Sequence, residues 1–310
     1  MPKAYVFTRY GGPETEALVE LDRPRPGPGE VLVAVRAAGV NPVDFKQRTG
    51  YRRPGESGER TFPAVLGNEV SGVVVETGEG VTGFAPGDEV FGTAVAGGYA
   101  EYALLAAGIT AHRPDALSAT DAATLPVAAA TAYDGVHQLA LPAGATLLLT
   151  GAGGGVGVAV AQIARALGIR VVGVASEGKK DLVESLGAVH VPSGPGWADR
   201  VRAAAPEGVD AVYDLVGGDV LREAAELVTD RSRLITAGAP AEEAERLGGA
   251  RVLRARDAVV LRAVADLVVA GDLDPHVTLT FPLERAGEAL RAVEGGHARG
   301  KVVLEIGTAI

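Results

Sequence analysis

The 310-residue chain has no cysteine, one methionine and one tryptophan, and only 5% of its residues are aromatic. The missing cysteine excludes disulfides, thiolate nucleophiles, iron–sulfur clusters and cysteine-ligated zinc together. Positive charge is also short: 29 Lys and Arg against 39 Asp and Glu leave a formal charge of −10. A body this acidic is a poor partner for nucleic acid or an anionic membrane surface. No apolar run is long enough to span a bilayer, and the opening MPKAYVFTRYGGPE lacks the apolar core of a signal peptide. The expected location is the cytoplasm. The histidines, at 112, 137, 190, 276 and 297, are scattered without the spacing of a metal-ligand set.

What is present reads as a globular chain of two ordinary domains, with 47% hydrophobic and 22% charged residues. Roughly the first 120 residues are β-rich: short apolar runs at 4–7, 30–38 and 72–76 are separated by Gly/Pro punctuation such as DRPRPGPGE. The polar, glycine-rich TGYRRPGESGERTFP, residues 49–63, reads as a loop. From about residue 121 the pattern changes to alternating strand and helix. ATLLLTGAGGGVGVAVAQIARALGIRVVGVAS, residues 145–176, is an apolar strand, a glycine turn, an apolar-faced helix and a second strand. Helices are expected near 180–186, 219–228 and 258–270, and strands at 211–215, 233–236 and 251–254. Repetition of this size means a parallel, doubly wound sheet. The last stretch gives a strand, an amphipathic helix and a final strand KVVLEI that fits either domain's edge.

The glycine turn is the strongest local signal. Gly151, Gly154 and Gly157 recur every three residues, with Gly153 and Gly155 between them. The spacing is not GxGxxG, yet it meets the same needs: a tight strand-to-helix turn, close approach to a pyrophosphate, and a helix N-terminus with free N–H groups. Gly151, Gly154, Gly155, Val156 and Gly157 are therefore candidate dinucleotide contacts. The second strand ends VVGVASEGKK. Glu177 would suit the 2′-hydroxyl of NAD, whereas Lys179 and Lys180, beside Ser176, would suit the 2′-phosphate of NADPH. NADPH is favoured over NADH.

Several motifs then carry a family resemblance along nearly the whole chain. They are AAGVNPVDFKQRTG (37–50), FPAVLGNEVSGVVVETGEGVTGFAPGDEVFG (62–92), LPVAAATAYDGV (125–136), GAGGGVGVAVAQIARALG (151–168), VDAVYDLVGG (209–218) and FPLERAGEALRAVEGGHARGKVVLEI (281–306). In their order and spacing the chain resembles the medium-chain dehydrogenase/reductase superfamily, and within it the zinc-free quinone oxidoreductase branch. The resemblance implies an α/β chain: a GroES-like β-rich domain over 1–121 and 272–310, and a Rossmann domain over 122–271. In the zinc enzymes of the superfamily a cysteine near AAGV and a histidine before Glu69 hold the catalytic metal. Here those places carry the 41–44 segment and Asn68, so no zinc is expected.

Without a Lewis acid to activate an alcohol, the feasible chemistry is hydride transfer to an acceptor that is already electrophilic, a quinone or an α,β-unsaturated carbonyl. By resemblance Asn41 and Asp44 line the site. Asn41 is a candidate donor to the developing oxyanion, Asp44 an orienter, and Tyr51 a wall or proton donor. Thr131 resembles the residue that packs near the nicotinamide, and Val216, Gly217 and Gly238 lie at the carboxyl ends of two strands, where cofactors sit in doubly wound sheets; Arg262, Phe281 and Lys301 have no position that the sequence fixes. Two other readings stand beside this one. A biosynthetic enoyl-thioester reductase would use Arg52, Arg53 and Arg60 for a phosphopantetheine arm, and a non-catalytic NADPH-binding protein would keep the fold without the chemistry. The resemblance also implies a homodimer.

Overall fold

The computed structural model describes residues 1–52, 59–296 and 298–307. It contains two compact units. The first comprises Met1–Val127, Arg256–Val269 and Val277–Ile310. Its central strand is Glu30–Val40, an almost uninterrupted apolar run buried along most of its length. A strand buried on both faces has no need of the polar alternation seen in half-exposed ones. It pairs antiparallel with both Glu69–Thr77 and Tyr102–His112, and Glu89–Ala94 completes the ring. Closing four strands this way removes their exposed edges and encloses Val31, Val33, Val35, Val70, Val90 and Leu105. This is the GroES-like β-rich unit that the motifs imply.

KVVLEI resolves to this unit. Lys301–Glu305 pairs antiparallel with residues 37–40, and Val277–Pro282 pairs parallel with it on the other side. Directly after residue 40 the chain enters the helix Pro42–Arg48, with proline at its first turn, where a missing N–H costs nothing. Arg48, at the helix end, is buried and ion-paired to Glu16 and to Glu294, the latter at 2.9 Å. Glu16 also accepts a hydrogen bond of 2.8 Å from the Tyr5 hydroxyl. One guanidinium thus ties the helix to the N-terminal strands Lys3–Phe7 and Glu16–Glu20 and to the helix Ala286–Glu294.

The second unit comprises Ala128–Ala255 and Ala270–His276. Its six parallel strands lie in the order Val189–Pro192, Arg170–Ala175, Thr146–Thr150, Ala211–Asp214, Leu234–Thr236, Ala250–Arg251. In chain order that is 3-2-1-4-5-6, the Rossmann arrangement, with its direction of growth reversing between Thr146–Thr150 and Ala211–Asp214. Helices Lys180–Ser185 and Gly218–Ala225 lie where the sequence pattern predicts them. Helix Ala258–Ala270 matches its expected span and falls almost wholly in the first unit. The pattern does not foresee strand Val189–Pro192 or helices Ala130–Leu139, Trp197–Ala204 and Ala241–Arg246. Most of these are too short, or too rich in alanine, to show an apolar period of their own. Among the described residues no helix is long and apolar enough to cross a membrane.

The Arg48 side chain is 1% exposed and that of Glu16 is 2% exposed. Arg48→Met therefore leaves a buried carboxylate without its cation and should cost about 3–5 kcal/mol, read as a lower urea midpoint at unchanged slope. A loss below about 1 kcal/mol would mean that the pair is not holding the helix.

Candidate active site and cofactor cradle

In the second unit the fully buried strand Thr146–Thr150 leads to Gly151, whose φ of +73° turns the chain sharply. The helix Gly155–Ala166 follows, with Gly154 as its N-cap. A Cβ on Gly157 would lie 2.4 Å from the Gly151 carbonyl oxygen and 2.7 Å from Ala152 Cα, so only glycine lets the helix press this closely on the turn. The Val158 N–H bonds the Gly154 carbonyl at 2.9 Å. The N–H groups of Gly155, Val156 and Gly157 precede it in the first turn, where the helix offers no carbonyl to receive them. Lys179 crosses the same turn: a Cβ on Gly153 would lie 2.4 Å from Lys179 Cδ. Ser176 and Lys180 are exposed on either side of the short 3-10 turn Glu177–Lys179, which Glu177 opens. Orphan donors, a backbone without side chains and a lysine stem laid over it suit the phosphates of a dinucleotide.

Further along the carboxyl ends of the strands come Val216, half-exposed, then Gly217 and Gly238 in adjoining loops. The N–H groups of all three are bonded inward, to Asp214 or Thr236. Thr131 is buried in helix Ala130–Leu139. Its hydroxyl receives Arg254 Nη1 at 2.6 Å, Arg254 Nε donates to Asp134 at 2.9 Å, and its carbonyl receives the Tyr213 hydroxyl at 2.7 Å. The structure thus aligns the cofactor candidates along one edge of the sheet, and Thr131 joins them through Tyr213 of the strand Ala211–Asp214. Asp214, Thr150 and Thr236 were not foreseen. The signal was available in VYDLVGG: a carboxylate at the end of a buried parallel strand must find donors.

In the first unit the residues around VNPVD and Asn68 form a buried polar cluster. Asp44, 0% exposed, accepts the Asn41 backbone N–H at 2.8 Å, the Tyr99 hydroxyl at 2.7 Å and the Asn68 amide. Asn68 Nδ2 also donates to Gln47 at 3.2 Å. Asn41 Nδ2 donates to Glu69 Oε1 at 2.7 Å. Lys301 Nζ donates to Asn41 Oδ1 at 2.7 Å and to Glu69 Oε1 at 2.8 Å, and the Val127 N–H caps Glu69 Oε2 at 2.7 Å. A Cβ on Gly39 would lie 2.2 Å from Glu69 Oε1, so that glycine makes room for the carboxylate. Tyr51 shares none of these bonds; it is 37% exposed, and its N–H bonds the Lys46 carbonyl. Of the arginines assigned to a phosphopantetheine arm, Arg60 lies over the Phe7 ring, and Arg53 lies outside the described residues, as does His297.

Two carboxylates and one ammonium share this interior. Burial pushes the Asp44 carboxyl up to about 6, against the hydrogen bonds that favour its charged form and with help from the Glu69 charge. Burial, and then the Asp44 charge, push the Tyr99 phenol well above its ordinary range. The cluster does not suit a divalent cation: the Glu69 carboxylate already holds an ammonium, and the Asn68 amide points its donors inward. Among the described residues no group of three or more His, Cys, Asp or Glu is arranged to hold a metal.

The alcohol dehydrogenase GroES-like domain model matches residues 27–115, and the zinc-binding dehydrogenase model matches residues 186–304. Human quinone oxidoreductase is 31% identical, over 95% of this chain and 95% of its own. The chain belongs to the medium-chain dehydrogenase/reductase superfamily, as a quinone oxidoreductase-like member. The tomato (Solanum lycopersicum) 2-methylene-furan-3-one reductase is also 31% identical, over 97% of this chain and 78% of its own. A mycobacterial structure solved with NADPH superposes with a TM-score of 0.86 at 29% identity, covering 98% of this chain and all of that one. These relatives agree with the oxidoreductase class read from the motifs.

Folded Asp44 holds its proton more tightly than an unfolded carboxyl of 3.8 does. The native state therefore gains stability from this group at low pH and loses it as pH rises from about 4 through about 6. Relative to Asp44→Asn, the wild type should lose about 2 kcal/mol between pH 4 and pH 7 in denaturant titrations. A difference that does not change with pH would place the proton elsewhere.

Proposed function

We propose that the chain is an NADPH-dependent reductase that works without a metal and delivers hydride to a quinone or an α,β-unsaturated carbonyl. The observation that carries this reading is the glycine turn at the reversal point of a 3-2-1-4-5-6 sheet, with the stem of Lys179 laid across it. The bound dihydronicotinamide would supply the hydride. Gly155, Val156 and Gly157 would hold the diphosphate with their N–H groups, and Lys179 and Lys180, with Ser176, the phosphate on the adenosine ribose. Metal independence rests on the absence of cysteine and on the ammonium that occupies Glu69.

On the acceptor side the working group is Asn41. Its carboxamide is held at both ends, the oxygen by Lys301 and one N–H by Glu69. The ammonium on the oxygen withdraws electrons and makes the amide hydrogens stronger donors. The Gly39 carbonyl lies 3.5 Å from the same nitrogen, at the limit of a hydrogen bond, so the second N–H is the loose end of the network and the donor that a developing oxyanion would recruit. Asp44, receiving the Asn41 backbone N–H, keeps the residue in register.

Purified protein treated with a chelator should oxidise NADPH with a simple quinone or an alkenal, and faster than it oxidises NADH. Loss of activity on chelation with recovery on adding zinc would end the metal-free reading, and no oxidation of either cofactor would end the reductase reading. Replacing Lys179 and Lys180 with Ala should raise KM for NADPH about tenfold or more while leaving that for NADH nearly unchanged. Asn41→Ala should lower kcat at least about tenfold with little change in NADPH affinity. Unaltered turnover would remove Asn41 from the mechanism.

A further inference from the structure

We infer that Asp214 is a positioning residue that fixes two loops at the carboxyl ends of the strands to the start of the glycine turn, and thereby sets the affinity for the dinucleotide. The inference rests on the reading that this unit binds a dinucleotide. Asp214 ends the strand Ala211–Asp214, is fully buried, and faces the strand Thr146–Thr150 across the reversal point of the sheet. Its Oδ1 accepts the Thr150 hydroxyl at 2.6 Å and the Val216 N–H at 3.1 Å. Its Oδ2 accepts the Thr236 hydroxyl at 2.6 Å and the Gly217 N–H at 2.9 Å. Each threonine passes the constraint on. Thr150 Oγ1 accepts the Leu215 N–H at 3.2 Å, and Thr236 Oγ1 accepts those of Gly238 at 3.0 Å and Ala239 at 3.1 Å.

Three strand ends therefore hang on one carboxylate, and Thr150 is the residue immediately before Gly151. The two loops meet backbone to backbone. A Cβ on Gly238 would lie 2.5 Å from Val216 N, and one on Gly217 would lie 2.9 Å from the Gly238 carbonyl oxygen. Loops packed this tightly move together or not at all. The N–H groups of residues 215–217, 238 and 239 are all spent on Asp214, Thr150 and Thr236, so this rim cannot offer them to a phosphate. Phosphate binding falls to the glycine turn, and the rim contributes the placement of its backbone and of Val216. A neutral amide cannot replace the carboxylate: with one acceptor atom it would turn an NH2 toward donors that are already in place.

The test is a fluorescence titration with NADPH on the full-length wild type, Asp214→Asn, Thr236→Val and Thr236→Ser, with steady-state KM values for NADPH and for a quinone. Asp214→Asn and Thr236→Val should each raise the NADPH dissociation constant about tenfold or more, with KM for the quinone within about twofold of wild type. Thr236→Ser keeps the hydroxyl and should bind within about twofold of wild type. If Asp214→Asn loses its cooperative thermal transition, the Thr236 pair decides, because valine exchanges only the hydroxyl for a methyl and serine removes only the methyl, inside an otherwise intact strand. NADPH binding by Thr236→Val at the wild-type level would overturn the inference, as would equal weakening in Thr236→Ser and Thr236→Val. Wild-type protein that binds neither NADPH nor NADH would instead remove the dinucleotide reading beneath it, and the inference with it.

Discussion

The ammonium of Lys301 can lie among Val40, Asn41 and Glu69 only because the last strand runs antiparallel to residues 37–40. A charge taken out of water is tolerable when an opposite charge and further hydrogen bonds replace its hydration. Glu69 supplies the charge, and Asn41 and the Val40 carbonyl supply the bonds. Much of the first unit follows from that requirement. Gly39 has no side chain because the Glu69 carboxylate fills the space, and the Val127 N–H closes the remaining oxygen. Asn41 is held by its side chain at the cluster and by its backbone at Asp44, at the very start of the helix Pro42–Arg48. Asp44 is buried beside the Glu69 charge, and burial above all pushes its carboxyl up rather than down.

The second unit answers the same problem without a cation. Asp214 is as deeply buried as Glu69, and its charge is spread over two threonine hydroxyls and backbone N–H groups. The two solutions have different consequences. An ion pair between remote segments ties the strand Lys301–Glu305 to Glu69, 232 residues away in the chain. A carboxylate ringed by donors from adjacent strand ends instead fixes loops whose shape a ligand would read. In both units the polar groups that the fold must satisfy coincide with the motifs that carry the family resemblance, VNPVD and LGNE in one and VYDLVGG in the other.

Much of this was legible in the chain itself. The glycine turn between two apolar strands, the change from β-rich to alternating pattern near residue 121, and the helix over 258–270 are local signals, written in residues that are neighbours in sequence. Asn41 and Asp44 were found through the motif around Pro42. What the pattern could not give was their partners. Tyr99 lies 55 residues from Asp44, and Lys301 lies 260 from Asn41; no periodicity links positions so far apart. Asp214 was visible as a polar residue in an apolar strand, but its partners Thr150 and Thr236 belong to strands 64 residues before it and 22 after it.

By itself the sequence determined the longer apolar strands and most of the helices of strong period, that no thiol chemistry operates, and that a glycine turn joins a strand to a helix, because each depends on composition or on residues in direct succession. Tertiary structure decided which charges are paired. The register of the strand Lys301–Glu305 against residues 37–40 put the ammonium on Glu69, and the strand order 3-2-1-4-5-6 put Asp214 beside Thr150. A buried charge is stabilised by whatever lies within hydrogen-bond reach, and reach is a property of the folded chain alone.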